Sequence, residues 1–404
     1  MKRHHPKVYE FTSQPLVFAT GLECSYPKVE HGKRRDELRE TGHYEHWRED
    51  FELCREVNAP YVRYGPPYYQ IHRGPGSYDW SWTDEVLPEM KDRGLIPIAD
   101  LCHFGVPDWV GNFQNTDWPE LFAEYARAFA RRYPWIRYYT PVNEMLVCAR
   151  FSAKLGLWNE QLQSDRALVT ALRNLCRAAL LASAGILEVA PDCVFIQSET
   201  AEAVHERWPE TRAKVEFANE MRFITFDLLY GRSPCSEIVF YLLDNGMPRE
   251  ELEWFLRQGR TNDPHCILGM DYYARNERYV CPDGREVSAG AVLQWHALGT
   301  QYYRRYHKPM MLSETNCLDP GKSADWLWKV WQNVQQLRAD GVPILGFTWY
   351  SLIDQVDWDI LLREICGRVN GNGLYTLDRR PREVAAHFRE LARRYGSEPV
   401  LPEE

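Results

Sequence analysis

The 404-residue sequence contains no uninterrupted run of the roughly 18 apolar residues that a membrane span needs. It also lacks an apolar signal core. The N-terminus, Met1-Lys2-Arg3-His4-His5-Pro6, leads into mixed polar sequence, so export by a standard signal is not expected. Positive charge is short: 48 Lys and Arg stand against 57 Asp and Glu, a net charge of -9. That balance argues against nucleic acid or an anionic membrane as partner, because both call for a basic face, and it favours small neutral molecules. The eleven cysteines include no Cys-x-x-Cys pair and are scattered from Cys24 to Cys366. An odd, dispersed set reads as reduced, mostly buried thiols and suggests the cytoplasm. No strand end carries His-x-His, which argues against a metal-dependent barrel hydrolase, and His4-His5 falls in a terminal arm. Low-complexity tracts, linkers and internal sequence repeats are lacking too.

What is present is apolar and aromatic. Hydrophobic residues make up 45% of the chain, enough for a full core, and 15 Trp and 23 Tyr suit flat apolar faces as well as packing. The length would allow two or three average domains, but an α/β barrel uses it for one domain with insertions. Eight short runs of β-formers recur with helical patterns between them: Val17 to Glu23, Pro60 to Tyr64, Ile96 to His103, Ile136 to Asn143, Cys193 to Ser198, Cys266 to Tyr273, Pro309 to Glu314 and Ile344 to Tyr350. Alternation of this kind predicts βα units and a single (β/α)8 barrel, with an N-terminal arm over about 1–14 and a C-terminal tail over about 397–404. Trp47, Phe51 and Cys54 form one helical stripe, and Leu327, Val330, Trp331, Val334 and Leu337 another. Ser323 is placed to cap the following helix and Gly94 to stop the one over Glu85 to Arg93. The longest irregular stretches follow the sixth run, with a turn at Pro282-Asp283-Gly284, and the eighth, from Gln355 to Leu377. In a barrel both lie over the C-terminal mouth.

The ends of the predicted strands carry Glu23, Arg63, His103, Asn143-Glu144, Gln197 and Glu199, Tyr273, Glu314, and Trp349-Tyr350. All strands of a parallel barrel end on one face, so these residues converge. Carboxylates, amides, an imidazole and aromatic rings together offer partners for hydroxyls and a flat surface for C–H groups. Carboxylates on the fourth and seventh strands suit retaining glycoside hydrolysis, which needs its pair about 5–5.5 Å apart. The acid's pKa is expected to be raised by apolar surroundings and a negative neighbour, while Arg63 and Tyr273 keep the nucleophile charged. Glu23, Glu199 and His103 could each instead be structural, and Cys102 and Cys148 read as packing residues.

Several blocks resemble glycoside hydrolase family 1, within the larger clan of (β/α)8 glycosidases. Thr140-Pro141-Val142-Asn143-Glu144-Met145 resembles the TxNEP acid/base motif, with Met145 in place of proline. Asp100-Leu101-Cys102-His103-Phe104-Gly105-Val106-Pro107 resembles LxHWDLP, whose histidine binds a sugar hydroxyl. Leu312-Ser313-Glu314-Thr315-Asn316 is similar to the nucleophile motif ITENG. Gly269-Met270-Asp271-Tyr272-Tyr273 is similar to GLNYY, whose last tyrosine contacts the nucleophile. Tyr350-Ser351-Leu352-Ile353-Asp354-Gln355-Val356-Asp357-Trp358 is similar to WSLLDNFEW. The blocks fall in family order over roughly residues 15 to 380.

The resemblance implies a β-glycosidase acting on small glycosides without cofactor or metal, with Glu144 as acid/base and Glu314 as nucleophile. It implies substrate contacts from Glu23, Arg63, His103, Asn143, Tyr273, Trp349, Tyr350, Asp357 and Trp358. Three departures bear on the sugar: Tyr350 replaces the platform tryptophan, Asp357 replaces a glutamate that grips distal hydroxyls, and Glu23 lies near a sugar-binding glutamine. Shortening that carboxylate by one methylene withdraws it by about 1.5 Å, which predicts a wider closed end and low activity on simple β-glucosides. Two alternatives stay open: a transglycosidase using the same pair, and a catalytically silent carbohydrate-binding barrel. The oligomeric state is not legible.

Overall fold

The computed structural model describes residues 14–401. Eight strands, β1 (Val17–Gly21), β2 (Tyr61–Tyr64), β3 (Ile96–Asp100), β4 (Tyr138–Thr140), β5 (Val194–Thr200), β6 (Cys266–Asp271), β7 (Met310–Glu314) and β8 (Ile344–Tyr350), close into a barrel in chain order. All eight pairings are parallel, and β1 closes the ring against β8. Each predicted run therefore falls on one barrel strand, with β5 extending two residues past its run to Thr200. Strands of such a barrel are covered on both faces, which is why they read as near-continuous apolar runs; all of β8 is buried. Gly21 pairs with Tyr350 and with Arg63 across the closure. A Cβ there would meet the Tyr350 ring at 2.3 Å, so only glycine lets that ring lie over β1.

The outer layer is built mainly by α1 (His43–Glu56), α2 (Ser81–Asp92), α3 (Trp118–Arg132), α4 (Asp165–Leu187), α5 (Arg249–Asn262), α6 (Gln294–Tyr306), α7 (Ser323–Ala339) and α8 (Glu383–Tyr395). The two predicted stripes are the buried faces of α1 and α7. Gly94 follows α2 at φ +74, a left-handed position suited to glycine. Ser323 does not cap α7. It is the first residue of the helix, and its hydroxyl donates back to the carbonyls of Cys317 and Asp319 at 3.3 Å.

Helix α4 starts at a true cap, the Ser164 hydroxyl accepting from the Ala167 amide at 3.1 Å. Its 23 residues are long and apolar enough in composition to cross a membrane, although Arg173 and Arg177 break the run. In this fold 72% of that apolar window is buried, with α4 packed along α3, as befits the core helix of a barrel shell.

Residues 397–401, read from sequence as part of a tail, are tied down. The Leu16 amide donates to the Glu398 carbonyl and the Val400 amide to Gln14, 2.8 and 2.9 Å. Arg338 holds the Pro399 carbonyl and the Glu398 carboxylate, and Val400 is buried. The proposed arm over 1–14 lies outside the described residues except for Gln14. No disulfide joins any of the eleven cysteines, all of which lie among the described residues, and most are buried.

Candidate active site

Polar side chains gather where the strands end, and Arg63 stands at their centre. It is buried at the end of β2 and donates to three strands' worth of partners: Glu314 on β7, Asp100 on β3 at 3.0 Å, and the Asn143 side-chain oxygen after β4. A guanidinium offers five donors in a planar fork, so one cation can hold three acceptors in fixed directions. Because Arg63 can only donate, Asn143 shows it the amide oxygen and turns its NH2 to His103 Nε2, 3.1 Å away. His103 Nδ1 faces Asp100 Oδ2 at 2.7 Å, so that nitrogen carries a proton. Burial opposes charge on Asp100, but His103 and Arg63 outweigh it and hold the carboxyl below its ordinary range.

Glu314 receives donors at both oxygens. Arg63 contacts one, and the Tyr273 hydroxyl donates to the other at 2.6 Å. Burial first, then Glu314 itself, keeps the Tyr273 proton on well above the ordinary phenol range, so this donor is permanent at working pH. Glu144 lies in the opposite environment. Burial, then Asp271 and Glu314, raises its pKa well above that of a free carboxyl, and the hydrogen bond from Thr200 to Oε1 works against the rise. A carboxyl oxygen from each of Glu144, Asp271 and Glu314 lies within 4.8 Å of the others.

Backbone geometry places Glu144. The Asn143 amide donates to the Cys102 carbonyl and the Glu144 amide to Ser198, each at 3.0 Å, tying the end of β4 to β3 and β5. Glu144 then takes φ +38 to start the short helix Met145–Ala149. Phe104 and Asp357 at the same mouth also have positive φ, a strain of about 1–3 kcal/mol each that surrounding contacts must offset.

Beside the pair, Tyr350 and His103 stack with rings 6.1 Å apart and 6° from parallel. The Tyr350 hydroxyl donates to the Leu22 carbonyl at 3.2 Å, locking the ring against β1. Glu23 accepts from the Ser25 amide at 2.9 Å and from the Gln355 side chain at 2.6 Å, and Asn372 donates in turn to Gln355. Burial raises the Glu23 pKa against the pull of His103 and Ser25. Trp358 packs with Phe104 and Trp158 at 6.2 Å each. Its indole Nε1 is buried without a hydrogen-bond partner, a donor awaiting an acceptor.

The structure thus brings together Glu23, Arg63, His103, Asn143, Glu144, Tyr273, Glu314 and Tyr350, with Trp358 on the adjoining wall. Two residues expected to touch substrate are placed otherwise. Asp357 is fully buried, and its carboxylate accepts from the amides of Cys366, Gly367 and Arg368 at 2.8–2.9 Å while pairing with Arg35 at 3.1 Å. With both oxygens engaged by its own loop, it is a brace and not a grip for sugar hydroxyls. Burial is outweighed there by those amides and Arg35, which hold the carboxyl below its ordinary range. Trp349 is one residue out of phase with Tyr350, and its indole donates to the Asn372 carbonyl at 3.0 Å.

The same parity corrects β5. Sequence reading picked Gln197 and Glu199, but Ser198 and Thr200 face the site: Ser198 donates to Asp271 at 2.7 Å and Thr200 to Glu144. Glu199 instead accepts from the Leu146 amide, holding the start of the helix that follows Glu144. Burial pushes its pKa up to about 8. Asp100, Asp271, Ser313 and Gln355 were also passed over as site residues. The alternation from Arg63 outward was the available signal for the first, and the carboxylate in the block Gly269 to Tyr273 for the second.

No family model matches the chain. A 1,4-β-D-glucan glucohydrolase of Thermotoga neapolitana is 20% identical over 397 residues, spanning 87% of this chain and 91% of that protein. β-Glucosidase A of Thermotoga maritima is 20% identical over 400 residues, 87% of each. Among solved structures, a family 1 β-glucosidase from Thermotoga maritima superposes with a TM-score of 0.77 at 15% identity, over 95% of this chain and 98% of that one. The Thermotoga maritima β-glucosidase in complex with deoxynojirimycin gives 0.79 at 14% identity, over 95% and 99%. The fold is that of the family 1 β-glucosidases. At these identities the likeness shows the fold, and it spans nearly the whole length of each chain.

Proposed function

We propose that this chain is a retaining β-glycosidase that hydrolyses O-glycosidic bonds of small carbohydrates or glycosides by double displacement, with Glu314 as nucleophile and Glu144 as acid/base. The observation that carries the reading is the approach of their carboxyl oxygens to within 4.8 Å. That approach suits the retaining spacing of about 5–5.5 Å better than the roughly 6.5–9.5 Å that an inverting enzyme needs for its water. Their surroundings divide the labour: two donors meet Glu314, whereas burial and like charge keep the proton on Glu144.

In the first step a Glu314 oxygen bonds to the anomeric carbon as the bond to the leaving oxygen breaks, and the Glu144 proton passes to that oxygen. Forming the ester removes the negative charge of Glu314, so Glu144, now a carboxylate, is the base for the second step. It takes a proton from water, whose oxygen bonds to the anomeric carbon and releases Glu314. Arg63 and Tyr273 hold Glu314 in line. Asn143, His103, Glu23 and Gln355 supply hydroxyl partners, and the Tyr350 ring and the Trp358 wall supply flat apolar surface. The names of the Thermotoga relatives favour a β-glucoside-like glycone.

A 2-deoxy-2-fluoro β-glycoside should accumulate on the peptide that carries Glu314, read by mass spectrometry, and Glu314→Gln should lower kcat by about a thousandfold or more while folding normally. Azide should restore Glu144→Ala turnover and yield the β-glycosyl azide. Label on Glu199, or an α-azide, would overturn the assignment.

A further inference from the structure

Asp271 clusters with the two carboxylates assigned above, an oxygen of each within 4.8 Å of the others, and has no part in the reaction steps. It ends β6 fully buried, and both of its oxygens accept hydroxyl hydrogens, from Ser198 on β5 at 2.7 Å and Ser313 on β7 at 2.6 Å. The charged and titratable groups facing it are Arg63 from β2, 4.0 Å from Oδ1, with Glu314 from β7 and Glu144 after β4. Glu199 from β5 and Tyr273 from the loop after β6 are farther neighbours that feel its charge. One guanidinium therefore serves three clustered carboxyls, and its direct contacts go to Glu314 and Asp100.

We propose that Asp271 is a titrating positioning residue of the catalytic centre, whose charge keeps Glu144 protonated to more alkaline pH than Glu314 alone would. It rests on the reading of Glu144 and Glu314 as acid/base and nucleophile. A buried cluster of carboxyls cannot ionise together, because each new negative charge has less compensation than the last. Glu314 has a donor at each oxygen, from Arg63 and from Tyr273, whereas Asp271 has only hydroxyls in direct contact. Burial and then Glu314 push Asp271 up to about 8, with Arg63 and the two serines pulling against them. As Asp271 ionises, the loss of the Glu144 proton becomes harder, since Asp271 is the foremost charged neighbour raising it. Ser198 and Ser313 hold the Asp271 carboxyl where that repulsion is felt. Thr200 holds Glu144 to the same place.

Two measurements on the full chain test this. The alkaline limb of kcat/KM for an aryl β-glucoside should move to lower pH by about one unit in Asp271→Asn, whereas a residue that only packs would change the height of the profile and not its limb. Independently of turnover, 13C NMR of carboxyl-labelled aspartates should show one signal that titrates in the alkaline range and is absent from Asp271→Asn, or from Asp271→Ser if the amide variant does not fold. In Glu314→Gln that signal should titrate at lower pH, because after burial Glu314 is the foremost neighbour raising it. An Asp271 signal already ionised below about pH 5, or a limb that stays in place, would overturn the proposal while leaving the glycosidase reading intact. If no aryl β-glycoside is turned over by the wild type, the glycosidase reading fails, and the NMR titration alone decides the role of Asp271.

Discussion

At Glu144 burial and neighbouring carboxyls push the pKa up, and a single hydroxyl, that of Thr200, pulls it down by donating to Oε1. The sign of the expected change follows: removing a donor to the charged form makes ionisation harder. Thr200→Val should therefore move the alkaline limb of the pH–kcat/KM profile up by about half to one unit, the opposite direction from Asp271→Asn. Turnover of substrates with poor leaving groups should fall several-fold as the carboxyl loses its orienting bond, and Thr200→Ser should keep near wild-type behaviour. An unmoved limb in Thr200→Val would remove Thr200 from this role. The wrong choice of Glu199 over Thr200 from sequence has a plain cause. Side chains alternate along a strand, and a strand whose two faces are both covered gives no apolar-polar rhythm from which to read parity. In β5 the adjacent polar residues Gln197, Ser198, Glu199 and Thr200 are all eligible until their partners after β4 and on β6 and β7 are placed.

Among the elements, the loop after β8 departs most from what its sequence suggested. Asp357 and Trp358 are adjacent, but only Trp358 borders the site with a free donor, while Asp357 gathers the amides of 366–368 and the buried Arg35. Asp357→Ala leaves that guanidinium short of a partner and three amides bare, so the expected loss of stability is about 3–5 kcal/mol by urea unfolding. The folded pKa of Asp357 is depressed, so its contribution is fully present above the ordinary aspartate value and is lost as pH falls through the folded value. The gap between wild type and Asp357→Ala should accordingly narrow in acid. Asp357→Glu is expected to destabilise the loop without improving kcat/KM for an aryl β-glucoside, since the carboxylate does not reach the sugar. A glutamate variant with tighter glucoside turnover would restore the hydroxyl-gripping role.

Over the whole molecule, ring closure and terminal docking are coupled. The first strand enters the barrel beside residues 397–401, and Arg338 near the end of α7 clamps the same segment. Deleting residues 397–404 removes these bonds and uncovers the buried contacts of Val400. A loss of about 2–4 kcal/mol in urea unfolding is expected, with kcat/KM and its pH profile unchanged because the deletion lies at the opposite end of β1 from the catalytic carboxyls. A pH profile that shifted with the truncation would show that closure of the ring governs the site.

The architecture could be read from the sequence alone, and so could the two carboxylates proposed as the reacting pair. Eight buried runs separated by amphipathic stripes admit little but a (β/α)8 barrel, and residues at strand ends must converge in one. Glu144 and Glu314 were legible because they stand at strand ends within blocks of distinctive composition. Tertiary structure alone decided which neighbours serve them. Arg63 is shared among Glu314, Asp100 and Asn143, Asp271 clusters with the pair, and Asp357 turns inward to its own loop. These outcomes depend on side-chain parity in doubly covered strands and on contacts between residues as far apart as Arg63 and Glu314, where hydrogen-bond geometry and charge compensation are set by the closed ring and leave no periodic trace along the chain.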